Sequence, residues 1–378
     1  MSNKKVCYIS DLAHHYREPI FKLMSETICC HFYFGNKTSS IKELDTSSLL
    51  GFQCRLPYVK IFGGFYYLWG SLWKALSYDK IILLGDPHGI QNWLICLVCR
   101  CAGKEVYLWT HGWYGKETLL RGFLKKALFR MSTKILVYGP RAKRMLLSEG
   151  FSDKEIEVVF NSLNYEEQTS IRERHSGVDL VSEYFGNENP VVIYVGRIQK
   201  VKRLDLLICA LSKLKKEGIV VNFVIVGGFD DDNEISNLVI DKGVADQVWF
   251  HGPCYDETQL SNMFKNSDVC VSPGNVGLTA IHALTYGCPV ITHDRFEMQM
   301  PEFESVIPGN TGDFYKYGDL ESLAEKIKLW VDIDKSEREF VRRKCIEEVA
   351  RRWNPQVQMQ KICKALELEY AELDESEP

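Results

Sequence analysis

The sequence predicts two doubly wound α/β domains in tandem. Short apolar, β-branched runs alternate with helical stretches, the pattern of βαβ units around parallel sheets. That alternation restarts after Asn187-Glu188-Asn189-Pro190. The chain has 378 residues, more than one hydrophobic core usually serves.

In the first half, Val6–Ser10 reads as a strand that breaks into Asp11-Leu12-Ala13-His14-His15-Tyr16-Arg17-Glu18-Pro19. Pro19–Ser25 has helical spacing with Pro in its first turn. Cys30–Phe34 and Lys80–Leu84 are further strands, the latter ending in Gly85-Asp86-Pro87-His88-Gly89. Gln91–Cys101 reads as a helix and Glu105–Trp109 as a strand that runs into Thr110-His111-Gly112-Trp113-Tyr114-Gly115. Thr118–Met131 is a helix and Lys134–Val137 a strand. In the second half, strands Val191–Val195, Val220–Val226, Val248–Phe250, Val269–Ser272 and Pro289–Thr292 alternate with four helices. Those helices are Leu204–Glu217, Glu234–Lys242, Glu257–Asn266 and Thr279–Tyr286. The expected domains are 1–186 and 187–353. A final helix, Asn354–Leu373, is expected to cross back to the first domain, with an acidic tail inside 354–378.

Hydrophobic content of 46% and charged content of 25% are those of a soluble globular protein. The apolar run after Lys4 and Lys5 is too short for a signal-peptide core, and no window is long and apolar enough to span a bilayer. Thirteen cysteines, an odd number scattered among apolar residues, suggest a reducing compartment, so a cytoplasmic setting is expected. Cys96, Cys99 and Cys101 resemble a metal cluster only superficially, because no second Cys/His pair stands nearby at ligand spacing. The net charge of −4 is uneven: residues 1–185 carry 24 Lys+Arg against 18 Asp+Glu, so the first half is basic and the second acidic. That asymmetry points the first half toward something anionic; no nucleic-acid partner is expected.

Ligands of doubly wound sheets sit beyond the carboxyl ends of strands and at helix N-termini, so the chemistry is sought there. Gly196-Arg197-Ile198-Gln199-Lys200-Val201-Lys202 follows one strand. The glycine lets backbone approach a ligand, and Arg197 and Lys202 bring two cations to meet a departing diphosphate. From charge alone, a solvated basic loop is an equal reading. Ser272-Pro273-Gly274-Asn275-Val276-Gly277-Leu278-Thr279 joins a strand to a helix whose first N–H groups suit an anion. His282, on that helix, is either a ribose contact or a core histidine. His111 lies at a strand end, where it orients a sugar or an acceptor hydroxyl or is simply a loop histidine. His15 and Arg17 are candidate acceptor or phosphate contacts, with Asp86 and His88 at another strand end. Asp230-Asp231-Asp232 contains a DxD string, which reads here as a solvated acidic loop.

Taken in order, Gly196-Arg197-Ile198 with Lys202, the turn Gly227-Gly228, Val248-Trp249-Phe250-His251-Gly252, and Ser267–Ile291 with its Gly277-Leu278 resemble the retaining GT-B glycosyltransferases. The likeness, over about 190–320, is to the large bacterial family 4 type that includes polysaccharide and O-antigen enzymes. It implies a GT-B fold and a nucleotide-sugar donor. Arg197 and Lys202 would hold the diphosphate. Gly196, Asn275, Gly277, Leu278, Thr279, His282 and Glu302 would lie around the donor, and His111 would face the sugar. The family usually carries two glutamates around the Gly-Leu loop; Gly274 and His282 stand at those places. Asn275 and His282 are the expected replacements. The resemblance also implies retention of configuration, with the leaving phosphate taking the acceptor proton. Neither cofactor nor metal is expected. Alternatives are a nucleotide-sugar epimerase of the same fold and a non-catalytic nucleotide-sugar-binding partner.

Thr118–Arg130 places Leu119, Leu120, Phe123, Leu124, Ala127 and Leu128 on one helical face, with Arg121, Lys125, Lys126 and Arg130 around it. From Lys116 to Arg144 nine basic residues accompany one acid, Glu117. The helix suits an anionic membrane surface or ordinary packing on the sheet. The aromatic run Phe62–Trp73 suits a lipid or acceptor groove, or the core. The expected setting is therefore peripheral association with the inner face of the cell membrane, and the expected acceptor a saccharide, lipid-linked.

Overall fold

The first half forms β1 (Val6–Ser10), α1 (Glu18–Ile28), β2 (His31–Gly35), β3 (Phe52–Leu56), β4 (Tyr58–Lys60), β5 (Tyr66–Leu68) and α2 (Ser71–Ala75). It continues through β6 (Lys80–Leu84), α3 (Ile90–Cys101), β7 (Glu105–Thr110), α4 (Leu119–Met131), β8 (Lys134–Val137), α5 (Pro140–Ser148) and β9 (Ile156–Val158). Seven strands form one parallel sheet in the order β3-β2-β1-β6-β7-β8-β9, while β4 and β5 pair as an antiparallel hairpin. The central strands are apolar on both faces, as a sheet covered on both sides requires. One core layer gathers Ile9, Ile81, Leu83, Leu108 and Val137, and the other Tyr8, Phe32, Ile82, Trp109 and Leu136.

The second half holds α6 (Tyr165–Glu173), α7 (Leu180–Phe185), β10 (Val191–Val195), α8 (Leu204–Lys216), β11 (Asn222–Val226), α9 (Glu234–Asp241) and β12 (Val248–Gly252). Next come α10 (Glu257–Lys265), β13 (Val269–Ser272), α11 (Thr279–Thr285), β14 (Val290–His293) and β15 (Gly312–Tyr315). Helices α12 (Leu320–Val331), α13 (Lys335–Arg352) and α14 (Pro355–Leu366) end the chain. Its parallel sheet has the order β12-β11-β10-β13-β14-β15. Strand order reverses beside β1 in the first sheet and beside β10 in the second, the two places where such sheets open a ligand crevice.

This computed structural model describes residues 4–38, 42–174, 178–228 and 234–370; Asp230-Asp231-Asp232 lies outside them. The chain divides into two units, Met1–Asn164 with Asn354–Pro378, and Tyr165–Trp353. The division therefore falls earlier than the 186–190 cluster, because α6 and α7 are bonded into the second unit. Gln168 Nε2 donates to Glu257, Arg172 to Thr285 O, and Leu180 N to Asn262 Oδ1, at 3.0, 2.8 and 3.1 Å. Helix α14 packs on α1 in the first unit, where Met359, Ile362, Cys363 and Leu366 join its core. Gln358 secures it, accepting from Ser162 Oγ at 2.6 Å and donating to Phe160 O at 2.8 Å. The helix stops at Leu366, where Glu367 turns left-handed, short of the expected Leu373.

Candidate functional site

In the second unit the loops after β10 and β13 meet. Gly196 adopts φ 149°, a conformation that favours glycine. Arg197 is exposed and its carbonyl accepts from Tyr194 Oη at 2.8 Å. Lys202 is partly buried; its Nζ donates to Asn275 O at 2.8 Å. Burial first, and then the Arg197 charge, pull the Lys202 ammonium down to about 8, with buried Glu302 opposing them. Arg197, Lys202, Asn275 and Glu302 therefore share one site. Two cations near each other, one of them reluctant to be charged, make a receptor for an anion.

The loop after β13 is held by groups the sequence did not announce. Gln299 accepts from Val276 N at 2.7 Å and donates to Thr292 Oγ1 at 2.8 Å and His293 O at 2.9 Å. Tyr315 Oη donates to Pro273 O at 2.5 Å. Thr279 Oγ1 donates to Val195 O at 2.9 Å, tying the start of α11 to the end of β10. A Cβ at Gly277 would make ordinary contact with the Met300 side chain at 3.7 Å, and Leu278 precedes α11 as its N-cap. Among the described residues, the buried Asn275 Oδ1 has no hydrogen-bond partner.

The two places where the resemblance expects glutamates resolve differently. At Gly274 a Cβ would stand 2.0 Å from Val201 O and 2.6 Å from Lys202 Cα, so no side chain fits. Gly274 N donates to Lys202 O at 2.8 Å across that contact. His282 Nε2 is engaged with Glu257 Oε1 at 2.6 Å, an oxygen that also accepts from Tyr286 Oη at 2.6 Å. Burial raises the Glu257 carboxyl, but the hydrogen bonds from His282, Tyr286 and Gln168 outweigh it and hold it at about 2. His282 is thus the partner of a carboxylate on the neighbouring helix α10. Glu257 was missed because it reads simply as the first-turn acid of a helix capped by Asp256.

In the first unit, Arg17 and His111 come together at the carboxyl ends of β1 and β7. The His111 ring lies 5.0 Å from that of Tyr138, and burial with the Arg17 charge holds it neutral, down to about 4. His15 is engaged with Lys42 O at 3.0 Å, and burial lowers its pKa. Asp86 and His88 bond each other, Oδ1 accepting from both the amide and Nδ1 of His88 at 3.0 Å. They are a local pair at the end of β6.

On helix α4 three of the four basic residues are engaged within the fold. Lys125 is turned inward, bonded to Glu117 at 2.9 Å and lying 5.3 Å from the Tyr114 ring and 5.6 Å from the Trp113 ring. Lys126 pairs with Glu149 at 3.3 Å, and Arg130 lies over Phe151. Arg121 remains exposed. The apolar first turn faces outward instead, with Leu119 95% and Phe123 70% exposed. Gly122, Leu128 and Phe129 form the buried side of the helix. Phe62, Trp69 and Trp73 are also exposed. Helix α3 packs on both α2 and α4 and turns Leu94 and Leu97 outward.

Residues 181–345 match the family model described as glycosyl transferases group 1. The D-inositol 3-phosphate glycosyltransferase of Mycobacteroides abscessus is 35% identical over 112 residues, 28% of this chain and 24% of that protein. The capsular polysaccharide biosynthesis glycosyltransferase CapM of Staphylococcus aureus is 28% identical over 169 residues, 41% of this chain and 40% of that protein. The chain thus spans less than half the length of these curated relatives. Solved structures align along nearly the whole chain. Anabaena HepE with UDP superposes with a TM-score of 0.73 at 15% identity, covering 96% of this chain and 99% of that one. The lipopolysaccharide outer core galactosyltransferase WaaB superposes with a TM-score of 0.69 at 16% identity, with the same coverage. The described chain therefore has the two-sheet GT-B fold, and its residues 181–345 are similar to the group 1 glycosyl transferases.

Proposed function

We propose that this protein transfers a sugar from a nucleotide-diphosphate sugar to a lipid-linked saccharide at the inner face of the cell membrane, with retention of configuration, in surface polysaccharide or O-antigen synthesis. The observation that carries this reading is the Arg197–Lys202 pair at the end of β10. Charge develops on the departing diphosphate as the glycosidic bond breaks, and fixed cations stabilise it without reorganising. The leaving phosphate takes the acceptor proton on the face it departs from. The two side-chain cations supply the charge a divalent metal would otherwise bring. The capsular role in the name of CapM and the UDP held by HepE support the same reading.

Purified protein given UDP- and GDP-sugars with membrane lipid extract should release nucleoside diphosphate only when acceptor is present. EDTA should leave that rate unchanged, and NMR of the product should show the donor's anomeric configuration. Nucleotide binding without turnover, an inverted product or EDTA inactivation would each contradict the proposal.

The acceptor side rests on the exposed apolar residues of α3, α4 and 62–73, set among exposed Lys60, Lys74 and Arg121. Exposed apolar residues with basic residues among them suit a surface of anionic headgroups. Replacing Leu119, Leu120 and Phe123 together by Ser should lower partitioning onto phosphatidylglycerol vesicles at least tenfold (roughly 1.5 kcal/mol or more of lost burial). Lys125→Gln should leave it nearly unchanged, since that ammonium already serves Glu117. Equal flotation of wild type and triple variant would remove the patch from membrane contact.

A further inference from the structure

At the carboxyl end of the first sheet Arg17 is only 4% exposed. Its Nη1 donates to Tyr8 Oη at 3.0 Å and its Nη2 donates to Tyr138 Oη. The guanidinium lies 4.7 Å from the centre of the Trp109 ring, 5.6 Å from that of Tyr138 and 5.9 Å from that of Tyr16. The cage is therefore aromatic and hydroxylic. Among the described residues no carboxylate pairs with Arg17. The acids flanking it in sequence are committed elsewhere, Asp11 to Lys37 at 2.6 Å and Glu18 to Lys22 at 2.7 Å.

Among the described residues two buried donors here have no acceptor: Arg17 Nε, and the indole Nε1 of Trp109, over whose ring the guanidinium sits. Buried donors are nearly always satisfied, and a buried cation without a counter-ion is strongly unfavourable. The arrival of an anion relieves the uncompensated charge and can satisfy the open Nε. The rim is suited to it. Burial first, and then the Arg17 charge, hold both His14 and His111 neutral, at about 4. A neutral imidazole adds no repulsion and still offers one N–H. Arg17 also follows β1, beside which the strand order of this sheet reverses.

We propose that Arg17 is the receiving cation of an anion subsite in the first unit, which takes a phosphate or carboxylate group carried by the acceptor. This rests on the reading above, in which the first unit holds the acceptor. The acceptor is then an acidic or phosphorylated saccharide rather than a neutral one. Tyr8, Trp109 and Tyr138 are buried, whereas Tyr16 is only partly so, and the anion reaches the guanidinium past Tyr16.

The test uses full-length protein saturated with UDP or GDP, so that the donor cations are occupied. Thermal unfolding is then followed on adding inorganic phosphate, or acetate, against chloride at equal ionic strength. The wild type should gain further protection from one of these anions. Arg17→Gln should weaken that response at least fivefold while keeping the nucleotide response, and Arg17→Lys should retain part of it. Protection by phosphate assigns a phosphorylated acceptor, and protection by acetate a carboxylate. Should Arg17→Gln fail to fold, Tyr16→Ala leaves the guanidinium in place, opens the cage and should strengthen the response. No added protection from either anion, an equal response in wild type and Arg17→Gln, or a nucleotide response lost in Arg17→Gln would each overturn the proposal. A wild type that ignores nucleotide would instead defeat the donor reading, and the anion response would then be read on the protein alone.

Discussion

Arg197→Ala and Lys202→Ala should each slow sugar transfer about a hundredfold, the usual scale for removing one preorganised donor from a developing negative charge. Neither change should disturb the fold: Arg197 is exposed, and among the described residues Lys202 Nζ donates to a loop carbonyl, that of Asn275. The Lys202 variant carries a second, distinguishing signature. In the free protein its ammonium titrates near 8, because burial and Arg197 disfavour the charge. The kcat/KM of the wild type should therefore fall as pH rises through about 8, reporting a group of the free enzyme, and that limb should vanish in Lys202→Met. The stability effect has the opposite sign. A lysine whose folded pKa lies below its ordinary 10.5 destabilises the fold in full below pH 8, and the cost is relieved between 8 and 10.5. Lys202→Met should accordingly raise the melting temperature of ligand-free protein at pH 7 by roughly 2 °C or more, while abolishing most of the activity. A variant both less active and less stable would show that the lysine serves the fold.

Gly274→Glu should damage the protein rather than restore a missing group. The resemblance places a glutamate here. The backbone forbids it: the first side-chain carbon would stand 2.0 Å from Val201 O, within the same loop that carries Lys202. Inserting atoms into a packed contact costs about 1–3 kcal/mol, and more when the neighbour is backbone and unable to give. Even Gly274→Ala should therefore lower stability by about 2 kcal/mol and weaken nucleoside diphosphate binding severalfold, by pushing Val201 and Lys202 from place. An alanine variant with wild-type stability and nucleotide affinity would show that the two loops can separate freely.

Much of the architecture was legible because the inner strands are buried on both faces. VCYIS, KIILL, VVIYV and NFVIV are apolar but for Ser10, Lys80 and Asn222 at their ends, runs that no helix of that length explains. The edges of the first sheet were not legible, although β12 at an edge of the second was read as Val248–Phe250. FQCRL and IEV, the strands β3 and β9, are short, and their partly exposed polar residues mimic loops. Helix α13 was missed for a related reason: KSEREFVRRKCIEEVARR buries only a thin stripe and shows little apolar periodicity. Arg197 and Lys202 could be singled out because ligands of such sheets sit at strand ends. Gln299 could not, since nothing in Met298-Gln299-Met300 hints that one amide pins Val276, Thr292 and His293. On α4 the periodicity grouped six apolar residues on one face, but the structure splits them. Leu119, Leu120 and Phe123 are exposed while Leu128 is buried, and Lys125 is bonded to Glu117.

The measurement that bears most directly on the donor site is proton uptake during nucleoside diphosphate binding, by calorimetry at pH 8.3 in two buffers of different ionisation enthalpy. A diphosphate seated between Arg197 and Lys202 must restore the charge on that ammonium, so wild-type protein should take up a substantial fraction of a proton and Lys202→Met none. Tight binding with no proton uptake, and equal affinity in the two proteins, would mean that the nucleotide binds elsewhere and that these cations do not serve the reaction.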